Sequence, residues 1–374
     1  MDPWFGPTST SRAMPRTMKK HAMENQRLDF LDFSRGIAAL LVFVSHAGAS
    51  TGYFSKLGYR YEWVDFGQAG IITFFFVSGF VIPWSLEHSK SLRSFAIRRI
   101  FRLYPLFVCL LGLSLVLQMF GVPYPMPLGN QPMATVMSNL FMVWEPLRHT
   151  DLVLGSWTLT IEIVWYAAFG LLFHFGLQRD LRALAIATAT LFIGVATVSL
   201  VMDIRLPLGR LGMLGVCLLG YYCYKLHIRQ IGRRDALTWM ALLVASILFM
   251  LWTAFSHHRS QTSNFPTVLI SWSIGLVLFC VPLIFRQYRF FQMPVFMRFG
   301  RHSYSIYLAH PPILFFCRHA FTEPAVSLLC SIVMLLGISA LLFRFVEAPG
   351  IQAGKFLDRA LASRHSLRYR QKET

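Results

Sequence analysis

Residues Asp32–Gly48 read DFSRGIAALLVFVSHAG. The run is apolar enough to enter a lipid bilayer, yet Arg35 lies near its start and His46 near its end. Because an α-helix has 3.6 residues per turn, this spacing amounts to about three turns, and both side chains leave one face about 16 Å apart along the axis. Ionisable groups inside membrane spans are costly, so both residues are candidates for function.

The composition of the whole chain indicates a polytopic membrane protein. Of the 374 residues, 55% are hydrophobic and only 14% are charged, whereas soluble domains carry roughly 25% charged residues. A membrane-spanning helix needs about 20 mostly apolar residues. By this criterion the predicted fold is an all-α transmembrane helical bundle of about ten spans, at 33–50, 67–86, 103–120, 155–176, 183–203, 208–224, 237–255, 267–285, 303–318 and 325–346.

The formal net charge of +18 reflects orientation in the membrane rather than nucleic-acid binding. If the N-terminus is cytoplasmic, 26 of the 35 Lys and Arg residues lie in inner loops and tails and seven in outer loops. The other two, Arg35 and Arg344, lie at segment ends. Cytoplasmic loops of membrane proteins carry such an excess. The distribution therefore predicts that both termini are cytoplasmic.

The spans define one domain with a tail at each side. We expect residues 1–28 to be a disordered cytoplasmic tail, 29–349 the transmembrane domain, and 350–374 a basic cytoplasmic tail. A basic leader followed by an apolar run and Ala47-Gly48-Ala49 is also compatible with a cleaved signal peptide. The six cysteines fall in or beside apolar segments without metal-ligand spacing, so no metal is predicted.

Few ionisable residues fall inside the predicted spans. His46 is a plausible general base, because a neutral imidazole can accept a proton near neutral pH; it could equally hydrogen-bond a neighbouring helix. Glu162 must pair or stay protonated, and it could orient a histidine or pair with an arginine. His174 and Asp203 fall close to the membrane interfaces, where solvated positions are expected.

The segment SFAIRRIFRLYP is interpreted as a loop that carries Arg98, Arg99 and Arg102 just before the third span. Arginine side chains match phosphate oxygens in a bidentate way. Three arginines on the cytoplasmic side are, however, also what topology alone requires. The sequence leaves both interpretations open.

A second polar segment, GRHSYSIYLAHPPIL, begins the ninth predicted span. Its Tyr304, Tyr307 and His310 follow one another at intervals of three residues, which places them on one helix face. His310 precedes two prolines, whose missing amide donors leave backbone carbonyls available to other partners. His310 is therefore a second histidine candidate.

These residues match a set of motifs in chain order. They are Arg35 with His46, Phe75 to Phe80 including Ser78, Arg99 and Arg102 followed by Tyr104-Pro105, Trp157-Thr158-Leu159 with Glu162 and Trp165-Tyr166, Ser303-Tyr304 with Tyr307-Leu308 and His310, and Glu347-Ala348-Pro349. Together they resemble the acyltransferase-3 family of integral membrane acyltransferases, from about Asp29 to Pro349. One departure is clear, because Ile72 and Thr73 stand where many relatives carry an acidic residue.

The resemblance implies an O-acyltransferase of the bacterial inner membrane. It would move an acyl group, most often acetyl, from cytoplasmic acyl-CoA to a hydroxyl of an extracytoplasmic glycan or similar acceptor of the cell envelope. Acyl-CoA (acetyl-CoA) would be a cosubstrate, with no bound cofactor, and neither nucleic acid nor a fused soluble domain is expected. The alternative is a secondary transporter or flippase of a lipid-linked or acylated substrate.

Roles for individual residues follow from the same resemblance. His46 would be the general base and Glu162 would orient it. The CoA moiety would contact Arg35, Arg99, Arg102 and Tyr104, and further site candidates are Ser78, Trp157, Tyr304, Tyr307 and His310. Residues 121–154 form the largest predicted outer loop, and its prolines, with Trp144 and Trp157, are expected to form a groove for the acceptor.

Overall fold

A computed structural model describes residues 28–52, 63–89, 91–122, 124, 127–258 and 263–370. The predicted tail at 1–28 lies outside them except for its last residue. The described residues form helices and no strand, which confirms the all-α fold class. The helices are α1 (Asp29–Ser50), α2 (Phe66–Glu87), α3 (Leu92–Met119), α4 (Pro132–Leu140), α5 (Trp157–His174), α6 (Leu181–Val201), α7 (Leu208–His227), α8 (Arg233–Trp252), α9 (Phe265–Ile284), α10 (Pro294–Ala320), α11 (Pro324–Leu342) and α12 (Ala348–Arg370).

Each of the ten predicted spans corresponds to a long helix. Eight helical segments of the described chain are both long and apolar enough to cross a membrane. The two others, α7 and α10, carry charged residues such as Arg210, Lys225 and Arg298 that lower their hydropathy. Both are also rich in buried residues, so other helices cover much of their surface. Which side of the membrane the termini face stays a prediction.

The segment around Arg98, Arg99 and Arg102 is helical, and the prediction that it forms a loop is wrong. Helix α3 begins eleven residues before the predicted span, and the Ser91 side chain caps it by accepting a hydrogen bond from a backbone amide 3.1 Å away. Hydropathy missed these turns because arginine is polar, although it forms helices readily. Arg99 and Arg102 share a helix face, whereas Arg98 pairs with Asp358 of α12 at 2.7 Å.

Helix α1 lies in the centre of the bundle, against α2, α9 and α10, and α2 also packs against α7 and α9. Glycines allow the closest approaches. A β-carbon at Gly300 would lie 2.0 Å from the carbonyl oxygen of Asp32, and one at Gly79 would lie 1.9 Å from that of Cys217. Small residues commonly let membrane helices pack backbone against backbone. This packing fixes the positions of Arg35 and His46 relative to the surrounding helices.

A π-helical turn, Phe343–Glu347, joins α11 to α12 and brings Glu347 into the bundle, where it is 1% exposed. Helix α12 then packs on the start of α3, and a β-carbon at Gly354 would lie 2.6 Å from the β-carbon of Phe101. The segment predicted as a basic tail, 350–374, is thus helical as far as residue 370. Its cytoplasmic location stays a prediction.

Candidate active site

A cavity of about 770 Å³, counted with the space that is open to solvent, lies between the first turns of α3 and the middle of the bundle. We call this part of the bundle the arginine end and the cavity the arginine cavity. Its lining is polar at one side and apolar at the other. It comprises Arg35, Ile71, Phe74, Phe75, Val77, Ser78, Val81, Ile82, Arg99, Arg102, Leu103, Thr158, Leu159, Glu162, Tyr166, Ser303, Tyr304 and Tyr307.

The structure thus brings together three arginines, one that the sequence placed in the first span and two that it placed in a loop before the third. Arg35 comes from α1, while Arg99 and Arg102 come from α3. Three carboxylates, those of Asp32, Glu162 and Glu347, lie close enough to interact electrostatically with Arg35. Of these three, only Glu162 lines the cavity, so the lining carries three cations and one carboxylate. Such a group favours an anionic ligand.

Hydrogen bonds hold the carboxylates of Glu162 and Glu347 in place. The Tyr166 hydroxyl donates a hydrogen bond to Glu162, and the Ser305 hydroxyl donates one to Glu347 over 2.8 Å. The Arg99 guanidinium lies over the ring of Tyr166, with its central carbon 5.8 Å from the centroid. These contacts orient the charged groups around the cavity.

Several buried polar atoms at the arginine end have no hydrogen-bond partner among the described residues. They include Oγ of Ser78, Nε of Arg99 and Oγ of Ser303, which all belong to residues that line the arginine cavity. Buried polar atoms without partners are few in native proteins and usually signal water or a ligand. The arginine cavity is therefore suited to a polar, anionic molecule.

At the opposite end of α1, which we call the histidine end, His46 and His310 form a pair. Nδ1 of His46 lies 2.8 Å from Nε2 of His310, and the two rings are almost parallel, at 8°. Nδ1 of His310 lies 2.5 Å from the carbonyl oxygen of Tyr307. His310 is 2% exposed, whereas His46 is exposed to a second cavity.

This chain of contacts determines the tautomers of the neutral pair. A carbonyl oxygen can only accept, so Nδ1 of His310 carries a proton and donates it to Tyr307. Nε2 of His310 is then the acceptor, and Nδ1–H of His46 donates to it. Nε2 of His46 is left without a proton, and that nitrogen makes no hydrogen bond to another described residue. The arrangement prepares His46 Nε2 to act as a base.

The prediction that Glu162 orients His46 is wrong. Glu162 lines the arginine cavity and accepts a hydrogen bond from Tyr166, whereas the partner of His46 is His310. The sequence could place Glu162 within a span, but it could not say which helix face meets which neighbour. Glu162 thus lies with the arginine cluster, and His310 is the side chain that contacts His46.

The second cavity, the histidine cavity, has a volume of about 1210 Å³, counted in the same way. It is larger than the arginine cavity and is lined by a mixture of aromatic, basic and small residues. They are His46, Ala49, Ser50, Tyr124, Leu154, Gly155, Trp157, His310, Pro311, Leu314, Phe315, Arg318 and His319. Aromatic and polar side chains together are typical of pockets for small polar molecules.

A thin polar partition separates the two cavities. The Tyr307 hydroxyl donates to the carbonyl oxygen of Gly155 over 3.1 Å, and the Thr158 hydroxyl lies 2.9 Å from the Tyr307 oxygen. Tyr307 and Thr158 line the arginine cavity, whereas Gly155 and His310 line the histidine cavity. The partition therefore lies beside the histidine pair.

Asp151 supports this partition from the preceding loop. Its Oδ1 accepts hydrogen bonds from the amide of Val153 at 3.1 Å and from the hydroxyl of Ser156 at 3.0 Å. Burial raises the pKa of Asp151 from 3.8 to about 6, against the opposite effect of these hydrogen bonds. The carboxyl group thus holds the turn that precedes Gly155.

The predicted outer loop packs tightly on the bundle. Within it, Asn139 bonds the carbonyl of Thr150 at 2.8 Å and the amide of Leu152 at 2.9 Å. Trp144 is 3% exposed and belongs to the hydrophobic core, so the expectation that it lines an acceptor groove is wrong. Trp157 does line the histidine cavity. Pro123 and Pro125 lie outside the described residues.

Two of the predicted residues have roles other than direct ligand contact. Tyr104 packs on Phe107 and is not among the residues that line either cavity. Its contact with a donor stays a prediction that the geometry does not favour. Tyr304 lines the arginine cavity while its hydroxyl donates to the carbonyl of Leu103 over 2.7 Å. This bond fixes α10 against α3.

Sequence reasoning named Thr158, Tyr166, Ser303 and Glu347 within its motifs but assigned no role to any of them. Tyr166 follows Glu162 by four residues, a spacing at which helical side chains meet, so this contact could have been anticipated. Thr158 and Ser303 carried no such signal, because their neighbours come from distant helices.

Comparison with known proteins shows the family of the chain. The profile of the family described as "Acyltransferase domain" matches residues 28–344. The chain belongs to the acyltransferase-3 family. The chain is similar to Acyltransferase MdmB of Streptomyces mycarofaciens, with 28% identity over 165 residues that cover 42% of each protein. The chain thus matches under half the length of that curated relative. No solved structure gives a significant match.

Proposed function

We propose that this membrane acyltransferase transfers an acyl group, most often acetyl, from acyl-CoA to a hydroxyl of an extracytoplasmic glycan or similar acceptor. The observation that carries the proposal is the pair of cavities at opposite ends of α1. One cavity is cationic and the other presents a histidine base, and the partition between them contains Tyr307. Two substrates that approach from opposite sides of a membrane would need such an arrangement.

The donor fits the arginine cavity by its charge. CoA carries several phosphate oxygens, and Arg99 and Arg102 lie on one face of α3 with Arg35 opposite on α1. Planar guanidinium groups bind phosphate oxygens in a bidentate way. The unpartnered Nε of Arg99 supplies a donor for such a contact. The apolar side of the cavity would accommodate the rest of the donor.

The acyl group would then have to reach the partition. Arg35 and His46 lie on one face of α1, about 16 Å apart along the axis. A phosphate-bearing molecule with an extended arm could occupy this length, with its thioester close to Tyr307 and His46. The acceptor hydroxyl would enter through the histidine cavity, where Trp157 and Tyr124 offer aromatic faces.

His46 supplies the chemistry in this scheme. Its Nε2 takes the proton of the acceptor hydroxyl while the oxygen attacks the thioester carbonyl carbon. The carbon–sulfur bond breaks, an ester bond forms, and the proton on His46 passes to the departing thiolate of CoA. His310 accepts a hydrogen bond from Nδ1–H of His46 and so keeps Nε2 available.

The proposal is tested with the purified protein in proteoliposomes. Acetyl-CoA labelled in its acetyl group is added with cell-envelope glycans from cells that lack the gene. We expect label in the glycan and an equal amount of free CoA. His46→Ala should abolish both. Transport of labelled material without release of free CoA would overturn the proposal in favour of a transporter.

Orientation is tested separately with a reporter inserted near Gly129, in the loop between α3 and α5. The proposal requires this loop to be extracytoplasmic, because it covers the histidine end. A cytoplasmic reporter at this position would place the donor and acceptor cavities on the wrong sides and would refute the two-sided scheme.

A further inference from the structure

Three side chains with metal-binding atoms meet at the histidine end, apart from both cavities. Asp203 follows α6, while His257 and His258 come at the end of the π-helical turn Thr253–His257 that extends α8. Oδ1 of Asp203 lies 3.3 Å from Nε2 of His257 and 3.6 Å from Nδ1 of His258. All three ligand atoms lie within 4.8 Å of one another, and none of the three residues lines either cavity.

The backbone has an uncommon conformation on both sides of this cluster. Asp203 has a φ of 51°, in the left-handed region that residues other than glycine seldom adopt. The amide of His258 bonds the carbonyl of Thr253 at 3.2 Å, the wide turn of a π-helix. The rings of His257 and His258 lie edge to face, with centroids 4.8 Å apart and planes at 74°. Single π-helical turns are frequent at functional sites.

The hydrogen bonds of Ser199 determine which nitrogen of His258 is available. The Ser199 hydroxyl donates its only proton to the carbonyl of Ile204, at 2.7 Å. It also lies 3.0 Å from Nε2 of His258, so Nε2–H of His258 must donate to the serine oxygen. In the neutral imidazole, Nδ1 then carries a lone pair that faces the Asp203 carboxylate.

A lone pair that faces a carboxylate is repulsive unless a cation lies between them. Protonation of Nδ1 would supply one, but the 3.6 Å separation from Oδ1 of Asp203 is too long for a hydrogen bond. A metal ion fits this distance better. Ligand atoms at 2.0–2.2 Å from a tetrahedral Zn²⁺ lie roughly 3.3–3.6 Å apart, and the two separations given above are 3.3 and 3.6 Å.

We propose that Asp203, His257 and His258 bind one divalent cation of the zinc type. Two imidazoles and one carboxylate are a ligand set that suits Zn²⁺ and Co²⁺ and leaves one coordination position open. Ser199 is the outer partner that fixes the tautomer of His258, as such partners do in known zinc sites.

The bound ion would fasten the α6–α7 turn to the end of α8. Arg205 already donates to the carbonyl of His258 at 2.5 Å, so one protein contact joins the same two segments. The cluster does not touch the histidine pair or the arginine cavity. The ion would therefore stabilise the outer ends of these helices and take no part in acyl transfer.

The experiment uses the purified full-length protein in detergent, stripped of metal with a chelator. We titrate it with Co²⁺ and follow the visible absorption of tetrahedral Co²⁺, and we measure bound Zn²⁺ by mass spectrometry after gel filtration. We expect about one ion per chain and a thermal midpoint that rises with Zn²⁺ concentration. Absence of bound ion in the wild-type protein would overturn the proposal.

Substitutions of the candidate ligands test which side chains bind the ion. Asp203→Asn and His258→Gln should each weaken Zn²⁺ binding by at least 100-fold, while His174→Gln, an exposed histidine at the arginine end, should bind like the wild type. Ser199→Ala keeps all three ligands and should weaken binding by about 10-fold to 100-fold. This variant remains informative if a ligand variant fails to fold. Binding unchanged in Asp203→Asn and His258→Gln would show that the ion lies elsewhere and would refute the assignment.

Discussion

The pairing of His46 with His310 makes a quantitative prediction about catalysis. If His46 is the base and His310 acts only by positioning it, their substitutions will not have additive effects. His46→Ala removes the base, which typically contributes 100-fold to 10,000-fold in rate. His310→Ala leaves the base in place but removes the acceptor that holds Nδ1–H of His46 over 2.8 Å.

The size of the second effect follows from the lost contact. A neutral hydrogen bond contributes about 1 kcal/mol, which corresponds to about fivefold in rate. Misplacement of the ring by about 1 Å can cost up to about 100-fold. We therefore expect His310→Ala to reduce kcat by about fivefold to 100-fold. His310→Gln, whose amide oxygen can accept from Nδ1–H, should recover much of this loss.

The assay measures label transfer from acetyl-CoA in proteoliposomes for His46→Ala, His310→Ala and the double variant. The double variant should match His46→Ala alone, because His310 has nothing left to position. His88→Gln, at an exposed histidine at the other end of the bundle, is the matched control. If the double variant loses the product of the two single effects, His310 contributes independently and the positioning role is refuted.

Three further predictions concern the donor, the fold and pH. Arg99→Lys and Arg102→Lys keep the charge but lose the planar fork, so the KM for acyl-CoA should rise about tenfold to 100-fold, or about 1.5–3 kcal/mol. Gly79→Ala should lower the thermal midpoint, since its β-carbon would lie 1.9 Å from a carbonyl oxygen of α7. Asp151 has a raised pKa of about 6, so the stability of the wild type should fall as pH rises from about 4 to about 6, and Asp151→Asn should flatten this dependence.

Each of these three predictions has its own control. Arg93→Lys, at an exposed arginine earlier in α3, should leave the KM for acyl-CoA unchanged. If Arg99→Lys and Arg102→Lys have the same KM as this control, those two arginines have only a topological role. Gly112→Ala, where a β-carbon would meet nothing within 4 Å, should keep the wild-type thermal midpoint. A pH dependence of unfolding that persists in Asp151→Asn would show that another group titrates.

The sign of the pH effect follows from the two states of Asp151. In the unfolded chain its carboxyl group has the ordinary pKa of 3.8, whereas in the fold the pKa is about 6. Between these values the folded protein binds more protons than the unfolded chain. Stability therefore decreases as pH rises through this interval and levels off above it.

Much of the architecture follows from local sequence. A span is recognised from about 20 consecutive apolar residues, and helices were found at all ten predicted segments. The prediction was weakest at the starts of α3 and α10, because hydropathy assigns polar helical turns to loops. The candidates Arg35, His46 and His310 were identified because ionisable groups are rare inside spans, whereas Arg99 and Arg102 were chosen as phosphate-binding side chains ahead of the third span.

The sequence alone thus determined ten helical spans and a short set of ionisable residues that are costly inside a bilayer, but it did not predict the helices α4 and α12. Only the tertiary structure decided that Glu162 belongs with the arginines and that His310 is the partner of His46. The physical reason is distance along the chain. His46 and His310 are 264 residues apart, and their 2.8 Å contact depends on how α1 and α10 pack, with a backbone approach at Gly300 that no local pattern specifies.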